Sequence, residues 1–420
     1  MKSISNLLTL LLLTASLHAQ SPEPLTLEDC YALARQNYPL IRQQDLIAKS
    51  KDYAIDNLAK GRLPQISFAG TASYQSDVTQ IPLQLPGLDI PKPGKDQYKL
   101  YADVSQTLYD GGLIKQQQLA QEARSEVEAQ QLEVELYKLK DRVNQLYFGI
   151  LMIDAQLEQV GLLQKDIQLG LNKAEAAIKN GVALRSSQDV LKAELLKAGQ
   201  RTTELTASRQ AYAGMLALLI NRDPDADLVL EMPKRIEVTE TINRPELALF
   251  ETQNRSIALQ HNLLTARNRP KVSLFLQGGF GRPALNFLSN DFEPYYIGGI
   301  RMQYSLSNLY TRKNDGAMIE LNRGQIALQK ETFLFNTRLS LRQQSAEVNK
   351  LETLLRADEE IIALRLGIKN TTSVQLENGV VNTNDYLREV NAEDQARQGK
   401  ILHEIQLLMA QYLHQTTAGN

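Results

Sequence analysis

Polar and apolar residues alternate along four short segments of the chain. Apolar side chains take most even positions from Ile66 to Tyr74 and from Tyr98 to Val104, and polar ones take most odd positions. The same alternation returns from Val272 to Leu276 and from Tyr296 to Leu306. A period of two over about ten residues, with aromatic residues near the ends, is typical of a transmembrane β-strand. An antiparallel sheet with one solvated face in a soluble domain produces the same pattern and stays open as an alternative.

The pattern predicts strands at about 63–75, 97–108, 270–281 and 295–307. In a membrane, the apolar side chains of these strands would face lipid. They are Ile66, Phe68, Tyr74, Tyr98, Leu100, Val104, Val272, Leu274, Leu276, Tyr296, Ile300, Met302 and Tyr304.

A very long helix is predicted after each pair of strands. Apolar residues recur in 4-3 alternation from Leu132 to Val160, and the stripe resumes at Ile167 and Leu171. Such a seam is typical of a coiled coil. It predicts one helix over about 113–179, which is roughly 100 Å long at about 1.5 Å per residue. A second helix is predicted over about 309–377, where a broken seam and a second stripe indicate neighbours on two sides.

Two related tetrapeptides stand where the long helices are predicted to end: "NGVA" at 180–183 and "NGVV" at 378–381. Gly181 and Gly379 can adopt the left-handed backbone conformation that ends a helix, since glycine does so without steric cost. A shorter return helix then follows, at about 187–219 and 384–412. Each tip is therefore a helical hairpin.

The order strand, strand, long helix and return helix occurs twice. Pro39 and Pro245 are 206 positions apart, as are Pro64 and Pro270, whereas the two tip glycines are 198 apart. A loop that shortens from 21 residues (76–96) to 13 residues (282–294) accounts for the drop of 8. Matching residues thus occur in the same order in the two halves of the chain, at consistent spacings. This indicates a tandem duplication.

These landmarks predict the organisation of the whole chain. It comprises a signal peptide (1–19), an N-terminal segment with a short helix (20–36), repeat 1 (37–221), a connector (222–242), repeat 2 (243–416) and a short tail (417–420).

Composition and charge narrow the class of protein. The 420 residues include 46 basic and 48 acidic ones, without the basic excess of a nucleic-acid-binding protein. Cys30 is the only cysteine, which excludes intrachain disulfides and Cys-based zinc sites. We expect Cys30 to pack as a small apolar side chain.

The amino terminus has the features of a Sec-type signal peptide. Lys2 precedes an apolar run from Leu7 to Leu17, and Ala19 ends a small-residue cleavage site. The run is too short to span about 30 Å of hydrocarbon, which argues against a membrane anchor. The chain is therefore expected to be exported.

Four strands cannot cross a membrane alone. Lipid satisfies no backbone hydrogen bonds, so a spanning sheet must close, and about eight strands are the minimum. A membrane protein with four strands per chain must therefore self-associate. Two chains would supply eight strands, and three would supply twelve.

In four features the chain resembles the TolC-type outer membrane efflux protein family. They are the export signal, the doubled strand–strand–helix–hairpin unit, the "NYPL" and "NRPE" openers and the paired "NGV" tips. The resemblance covers essentially all of the mature chain. It implies an α+β membrane protein: a homotrimer with a 12-stranded β-barrel, four strands from each chain, continuous with a periplasmic α-helical coiled-coil barrel. It also implies an exit duct of a tripartite efflux pump or a type I secretion system. Partners would be a periplasmic adaptor (membrane fusion) protein and a proton-driven or ATP-driven inner-membrane transporter.

The resemblance also implies functional residues at the hairpin tips. The adaptor-docking positions would be Gly181, Val182, Ala183, Leu184, Gly379, Val380 and Val381. Candidates for a periplasmic gate are Arg185, Asp189, Glu377 and Asp385. The acidic ring that some members carry is in doubt, because residues 370–373 read "NTTS" without a carboxylate. A charge beside a helix end is more often simply solvated.

Other classes of protein explain less of the sequence. An exported periplasmic coiled-coil scaffold or adaptor would account for the helices but not for the four alternating strands. An enzyme is not expected, since His261, His403 and His414 fall on predicted helices without metal-ligand spacing. No cofactor and no metal are predicted, and the transported substrate is not readable from the sequence.

Overall fold

The computed structural model describes residues 24–79, 92–181, 184–225 and 227–420. The predicted signal peptide and the tip residues Val182 and Ala183 lie outside the described residues. Eight α-helices and four strands follow one another within these ranges. They are α1 (Leu27–Asn37), α2 (Gln43–Ala59), β1 (Gln65–Tyr74), β2 (Asp96–Tyr109), α3 (Leu113–Tyr137), α4 (Leu139–Lys179), α5 (Arg185–Leu219), α6 (Pro245–Arg267), β3 (Lys271–Arg282), β4 (Glu293–Gln303), α7 (Asn308–Glu377) and α8 (Thr383–Ala418).

Most predicted bounds shift by one or two residues, and three differences are described here. The helix expected over 113–179 is interrupted at Lys138, whose N–H bonds to the Leu136 carbonyl in a tight turn. Strand β4 ends at Gln303 instead of 307, since its last partner is Lys271 and the preceding Pro270 has no N–H to donate. Helix α8 continues to Ala418, so the tail is shorter than the predicted 417–420.

The four strands form one antiparallel sheet in the order β1-β2-β3-β4. Except at the end of β2, odd residues pair with odd ones, as in Gln65 with Ser105, Tyr101 with Gly279 and Lys271 with Gln303. Directly paired residues share a face of an antiparallel sheet. The odd-numbered strand residues therefore form one face, which we call the odd face, and the even-numbered ones form the even face. A register shift between Thr107 and Tyr109 is confined to the end of β2.

The even face is apolar and exposed, and it carries all but one of the side chains predicted to face lipid. Phe68 is 81% exposed, Tyr296 77% and Ile300 70%. Tyr304 is the exception, because it follows the last residue of β4. Phe280 also belongs to this face and was not among the predicted residues.

The chain divides into two compact units. Unit 1 comprises the chain up to Tyr38, Leu139–Val238 and Gln344–His414, and unit 2 comprises Pro39–Lys138, Thr239–Gln343 and Gln415–Asn420. The sheet belongs to unit 2, and the two helical hairpin tips belong to unit 1.

A core in unit 1 joins α1 to the long helices and the connector. Tyr147 is fully buried, and its hydroxyl lies 2.8 Å from the Leu25 carbonyl and 2.6 Å from the Glu231 carbonyl. Leu25 also forms a parallel β-bridge with Leu230 of the connector, whose described residues form this bridge and no strand. Cys30 is fully buried here, and burial raises the pKa of its thiol to about 12. An inert thiol of this kind has a packing role.

In unit 2, helix α3 packs along α2 and α6 and is joined tightly to β2. The Asp110 carboxylate accepts hydrogen bonds from the N–H groups of Gly112 (2.8 Å) and Ile114 (2.7 Å). It thereby satisfies donors at the start of α3 that have no partner within the helix.

Candidate functional site

The two hairpin tips end their long helices in the same way. Gly181 has φ +73° and its N–H bonds to the Ile178 carbonyl at 2.9 Å. Gly379 has φ +69° and its N–H bonds to the Leu376 carbonyl at 3.1 Å, and the next N–H bonds to the Gln375 carbonyl at 2.9 Å. These contacts are those of a glycine-terminated helix. A Cβ atom on either glycine would meet nothing within 4 Å, so backbone conformation and not crowding requires glycine.

Apolar side chains project into solvent beside both glycines. Leu184 is 75% exposed and Val380 is 70% exposed, whereas Val381 is half-buried. Leu184 precedes the first residue of α5 and makes no side-chain capping bond. The exposed pair therefore contributes little to packing within the chain. Isolated apolar side chains at the ends of hairpins are suited to burial against a partner.

The start of α8 has its own cap. The Asn382 carboxamide oxygen accepts hydrogen bonds from the N–H groups of Asn384 (2.9 Å) and Asp385 (3.0 Å). The Asp385 carboxylate in turn lies 3.4 Å from the Asn382 N–H. Asp385 thus has a structural role at a helix start.

A groove of about 850 Å³ separates the tips and is lined by residues of both. The ammonium group of Lys173 on α4 lies in this groove. It is 2.5 Å from a Glu377 carboxylate oxygen and donates a hydrogen bond to the Ser373 hydroxyl at 2.8 Å. Among the predicted gate residues, Glu377 and Asp385 line this groove. Arg185 and Asp189 are exposed outside it and form no ion pair with the described residues.

A buried charge cluster lies further along the same helices and was missed by the sequence reasoning. The Lys369 ammonium of α7 is 2.9 Å from Asp166 of α4 and 3.3 Å from Glu393 of α8. Arg397 makes a second, short ion pair with Glu393. The Glu393 side chain is only 3% exposed and that of Lys369 13%. Two cations and two carboxylates therefore join three helices from both sequence repeats.

A second polar group joins the same repeats. The Arg201 guanidinium donates to the Gln398 side-chain oxygen at 2.5 Å, and the Gln398 amide donates to Asp394 at 2.6 Å. The Gln159 amide of α4 donates to the other Asp394 oxygen at 2.9 Å. Burial raises the pKa of Asp394, while these hydrogen bonds oppose the shift. Only the spacing of four between Asp394 and Gln398 was visible in the sequence.

Apolar packing fixes the helices between the charges and the tips. Ile167, Leu171 and Ala174 of α4 pack with Leu191 of α5 and Leu387 of α8. Gly170 lets Tyr386 approach α4, because a Cβ there would lie 2.9 Å from the Tyr386 ring. No group of three or more His, Cys, Asp or Glu that could hold a metal occurs in the described part of the chain.

The fold combines a four-stranded antiparallel sheet with two hairpins of long helices. Residues 30–220 match the family model "Outer membrane efflux protein". This match and the structural likenesses below confirm the predicted resemblance to the outer membrane efflux protein family. No curated protein sequence matches the chain.

Solved structures extend the likeness of fold to nearly the whole chain. The outer membrane protein VceC of Vibrio cholerae is 13% identical with a TM-score of 0.67, over 94% of this chain and 96% of VceC. The open state of the MtrE outer membrane channel of Neisseria gonorrhoeae is 16% identical with a TM-score of 0.64, over 93% of this chain and 88% of MtrE. The CmeC outer membrane channel of Campylobacter jejuni is 12% identical with a TM-score of 0.63, over 94% of this chain and 85% of CmeC. The chain thus has the α+β fold of these channels.

Proposed function

We propose that the protein is the outer membrane exit duct of a tripartite efflux pump or type I secretion system. Three chains would form a 12-stranded barrel and a periplasmic helical barrel. Cargo would pass without chemical change from an adaptor and an inner-membrane transporter to the exterior. The observation that carries this proposal is the sheet, whose even face is apolar and exposed and whose outer strands are both open.

Each outer strand of the sheet needs another β-strand to pair with its free edge. β1 has 10 residues and β4 has 11, and among the described residues each pairs on one side only. In lipid, an unpaired edge leaves peptide groups without hydrogen bonds. Pairing β4 of one chain with β1 of the next would satisfy both edges and close a ring.

Helix α7 supports the same assembly. One stripe on it stays exposed in the single chain, with each member more than half exposed. The stripe consists of Met318, Leu321, Leu328, Phe335 and Leu339. Residues spaced by seven with apolar side chains are suited to packing against another helix. A second copy would bury them.

We further propose that the tips dock the adaptor and that the charges around the tip groove form part of the periplasmic gate. Support for docking comes from Leu184 and Val380, which project into solvent from both hairpins. Support for the gate comes from Lys173 and Glu377, which join α4 to α7 across the groove.

The docking proposal is tested by placing charge on the exposed side chains. The double variant Leu184→Glu/Val380→Glu leaves both glycine turns intact, so trimers should form as in the wild type. Efflux should fall by about tenfold or more, because a charged side chain would be desolvated in the interface. The measurements are dye accumulation in the host strain lacking the gene and trimer content on unheated gels.

The matched control is Leu184→Met/Val380→Ile, which keeps both side chains apolar and should keep efflux. Retained efflux in the glutamate variant would refute docking at the tips. Loss of its trimers would also refute it, since the tips would then serve assembly. A water-soluble wild-type protein without trimers would instead favour the periplasmic scaffold.

A further inference from the structure

The two hairpins of the sheet pair their strands in equivalent registers. Gln65 of β1 pairs with Ser105 of β2, and Lys271 of β3 pairs with Gln303 of β4. Gln65 and Lys271 are 206 positions apart, whereas Ser105 and Gln303 are 198 apart. These are the two offsets of the predicted sequence repeat, on either side of its shortened loop. The repeat offsets therefore convert one observed pairing into the other.

A third pairing joins the two hairpins and has its counterpart outside the chain. β2 pairs with β3, so the second strand of the first hairpin lies beside the first strand of the second hairpin. The equivalent strands under the repeat are β4 and β1, which are the outer strands of the described sheet. Because these strands lie at opposite edges, they would meet as β4 of one chain and β1 of a second copy.

The same offsets give the register of that contact. Ser105 of β2 pairs with Phe275 of β3. The position 198 residues after Ser105 is Gln303, and the position 206 residues before Phe275 is Ala69. The equivalent pair between copies is therefore Gln303 with Ala69.

We propose that Gln303 of one copy pairs with Ala69 of the next, in an antiparallel contact that joins residues 298–305 to residues 67–74. We call this contact the β4–β1 junction. It rests on the proposed exit duct, because the ring of copies in that duct brings the two edges together. The junction fixes which side chains of neighbouring copies lie opposite each other.

Side-chain sizes across the β4–β1 junction support this register. On the even face, three consecutive pairs each combine a large side chain with a small one: Tyr74 with Gly298, Ile300 with Ala72, and Met302 with Gly70. The three large side chains are each more than two-thirds exposed in the single chain. A Cβ on Gly70 would have its nearest contact at 3.6 Å, so there is room beside this glycine. Opposed Cβ positions of an antiparallel pair lie about 4.5–5.5 Å apart, so each large side chain would cover its small partner.

A slip of two residues loses this match in either direction. One slip sets Ala72 against Gly298 and Tyr74 against Tyr296, so the small residues face each other and leave the backbone uncovered. The opposite slip sets Tyr74 against Ile300 and places Gly298 beyond the end of β1. A slip of one residue would turn the polar odd positions of β1 toward lipid.

The register also accounts for an alternation that runs past the end of β4. Tyr304 and Ser305 continue the apolar–polar pattern, but they lie beyond Gln303, the last residue that pairs with β3. In the β4–β1 junction they lie opposite Phe68 and Ser67 of the next copy. The strand would therefore lengthen to residue 305, close to the end at 307 that the sequence predicts.

The test is disulfide formation between introduced cysteines in the full-length protein in membranes, oxidised with copper phenanthroline. Ala69→Cys/Gln303→Cys should form covalent trimers, because paired Cα atoms lie about 4.5–5.5 Å apart, within the range of a disulfide. β1 and β4 of one chain lie at opposite edges of the sheet, so the bond must join two copies. The native Cys30 is fully buried and should add no background. The measurement is the amount of covalent trimer on heated, non-reducing gels, which a reductant should return to monomer.

Two matched controls keep Gln303→Cys and move the other cysteine by two residues along β1. They are Ser67→Cys/Gln303→Cys and Thr71→Cys/Gln303→Cys, both on the odd face. Two residues displace the thiol by roughly 7 Å along the strand. Each control should therefore give at least about fivefold less covalent trimer.

The outcomes separate the junction from the duct. A stronger crosslink in either control would overturn the proposed register. So would the absence of crosslinks in all three variants while trimers persist on unheated gels, and both results would leave the exit duct intact. A wild-type protein that forms no trimers would overturn the duct and the β4–β1 junction together.

Discussion

At the scale of single residues, Lys369 joins three helices through its ion pairs. Its ammonium lies between two carboxylates, Asp166 and Glu393, and Glu393 is almost fully buried. A buried carboxylate that loses every cation costs several kcal/mol. Glu393 would keep its pair with Arg397, so the loss of Lys369 would leave mainly Asp166 without a cation. Lys369 therefore prevents a repulsion between α4 and α8.

Lys369→Met should destabilise the helical hairpins by about 2 kcal/mol, because Asp166 loses its cation while Glu393 keeps its pair with Arg397. The measurement is the urea midpoint of the helical circular dichroism signal in detergent. Lys197→Met is the control, since that side chain is 76% exposed and pairs loosely with Glu194 at 3.8 Å. The control should stay within about 0.5 kcal/mol of the wild type. Equal midpoints for both variants would contradict the role of Lys369.

Residue-scale prediction from sequence succeeds where the signal is local. The left-handed conformation of Gly181 and Gly379 follows from an Asn-Gly pair at the end of an apolar stripe. The partners of Lys369 are more than 20 residues away in one direction and about 200 in the other. Their proximity depends on how three helices pack, which a single sequence does not specify.

At the scale of elements, the sheet provides a matched pair of adjacent positions. Leu276 lies on the even face of β3 and is 52% exposed, and Gln277 lies on the odd face. A charged residue in the lipid-facing band of a barrel costs about 2–4 kcal/mol near the midplane, and a charge facing the lumen is solvated.

Leu276→Arg should therefore reduce the amount of trimer in the outer membrane fraction severalfold, while Gln277→Arg should leave it near the wild-type amount. The measurement is the trimer band on unheated gels of purified membranes. A reversed order of the two variants would mean that the odd face contacts lipid.

Element-scale prediction depends on the length and regularity of the pattern. The long seam from Leu132 to Leu171 is visible because nearly all of its members are buried along one line. Helices α2 and α6 did not emerge from the pattern, because each buries only one residue, Ile47 and Ala266. The turn at Lys138 was also missed, since it lies within an unbroken apolar stripe and no proline or glycine marks it.

At the scale of the whole molecule, the single chain leaves too much apolar surface uncovered to be complete. The even face, the exposed stripe of α7 and the two open strand edges all lack partners within the described chain. Large exposed apolar patches mark contacts with lipid or protein. One assembly, a closed ring of chains in a membrane, would cover all three.

The number of chains per particle tests this account most directly. The measurement is the mass of the protein part of the detergent-solubilised particle, by light scattering with separate determination of bound detergent. The account predicts three chains surrounded by detergent. A single chain that stays in solution without detergent would contradict it.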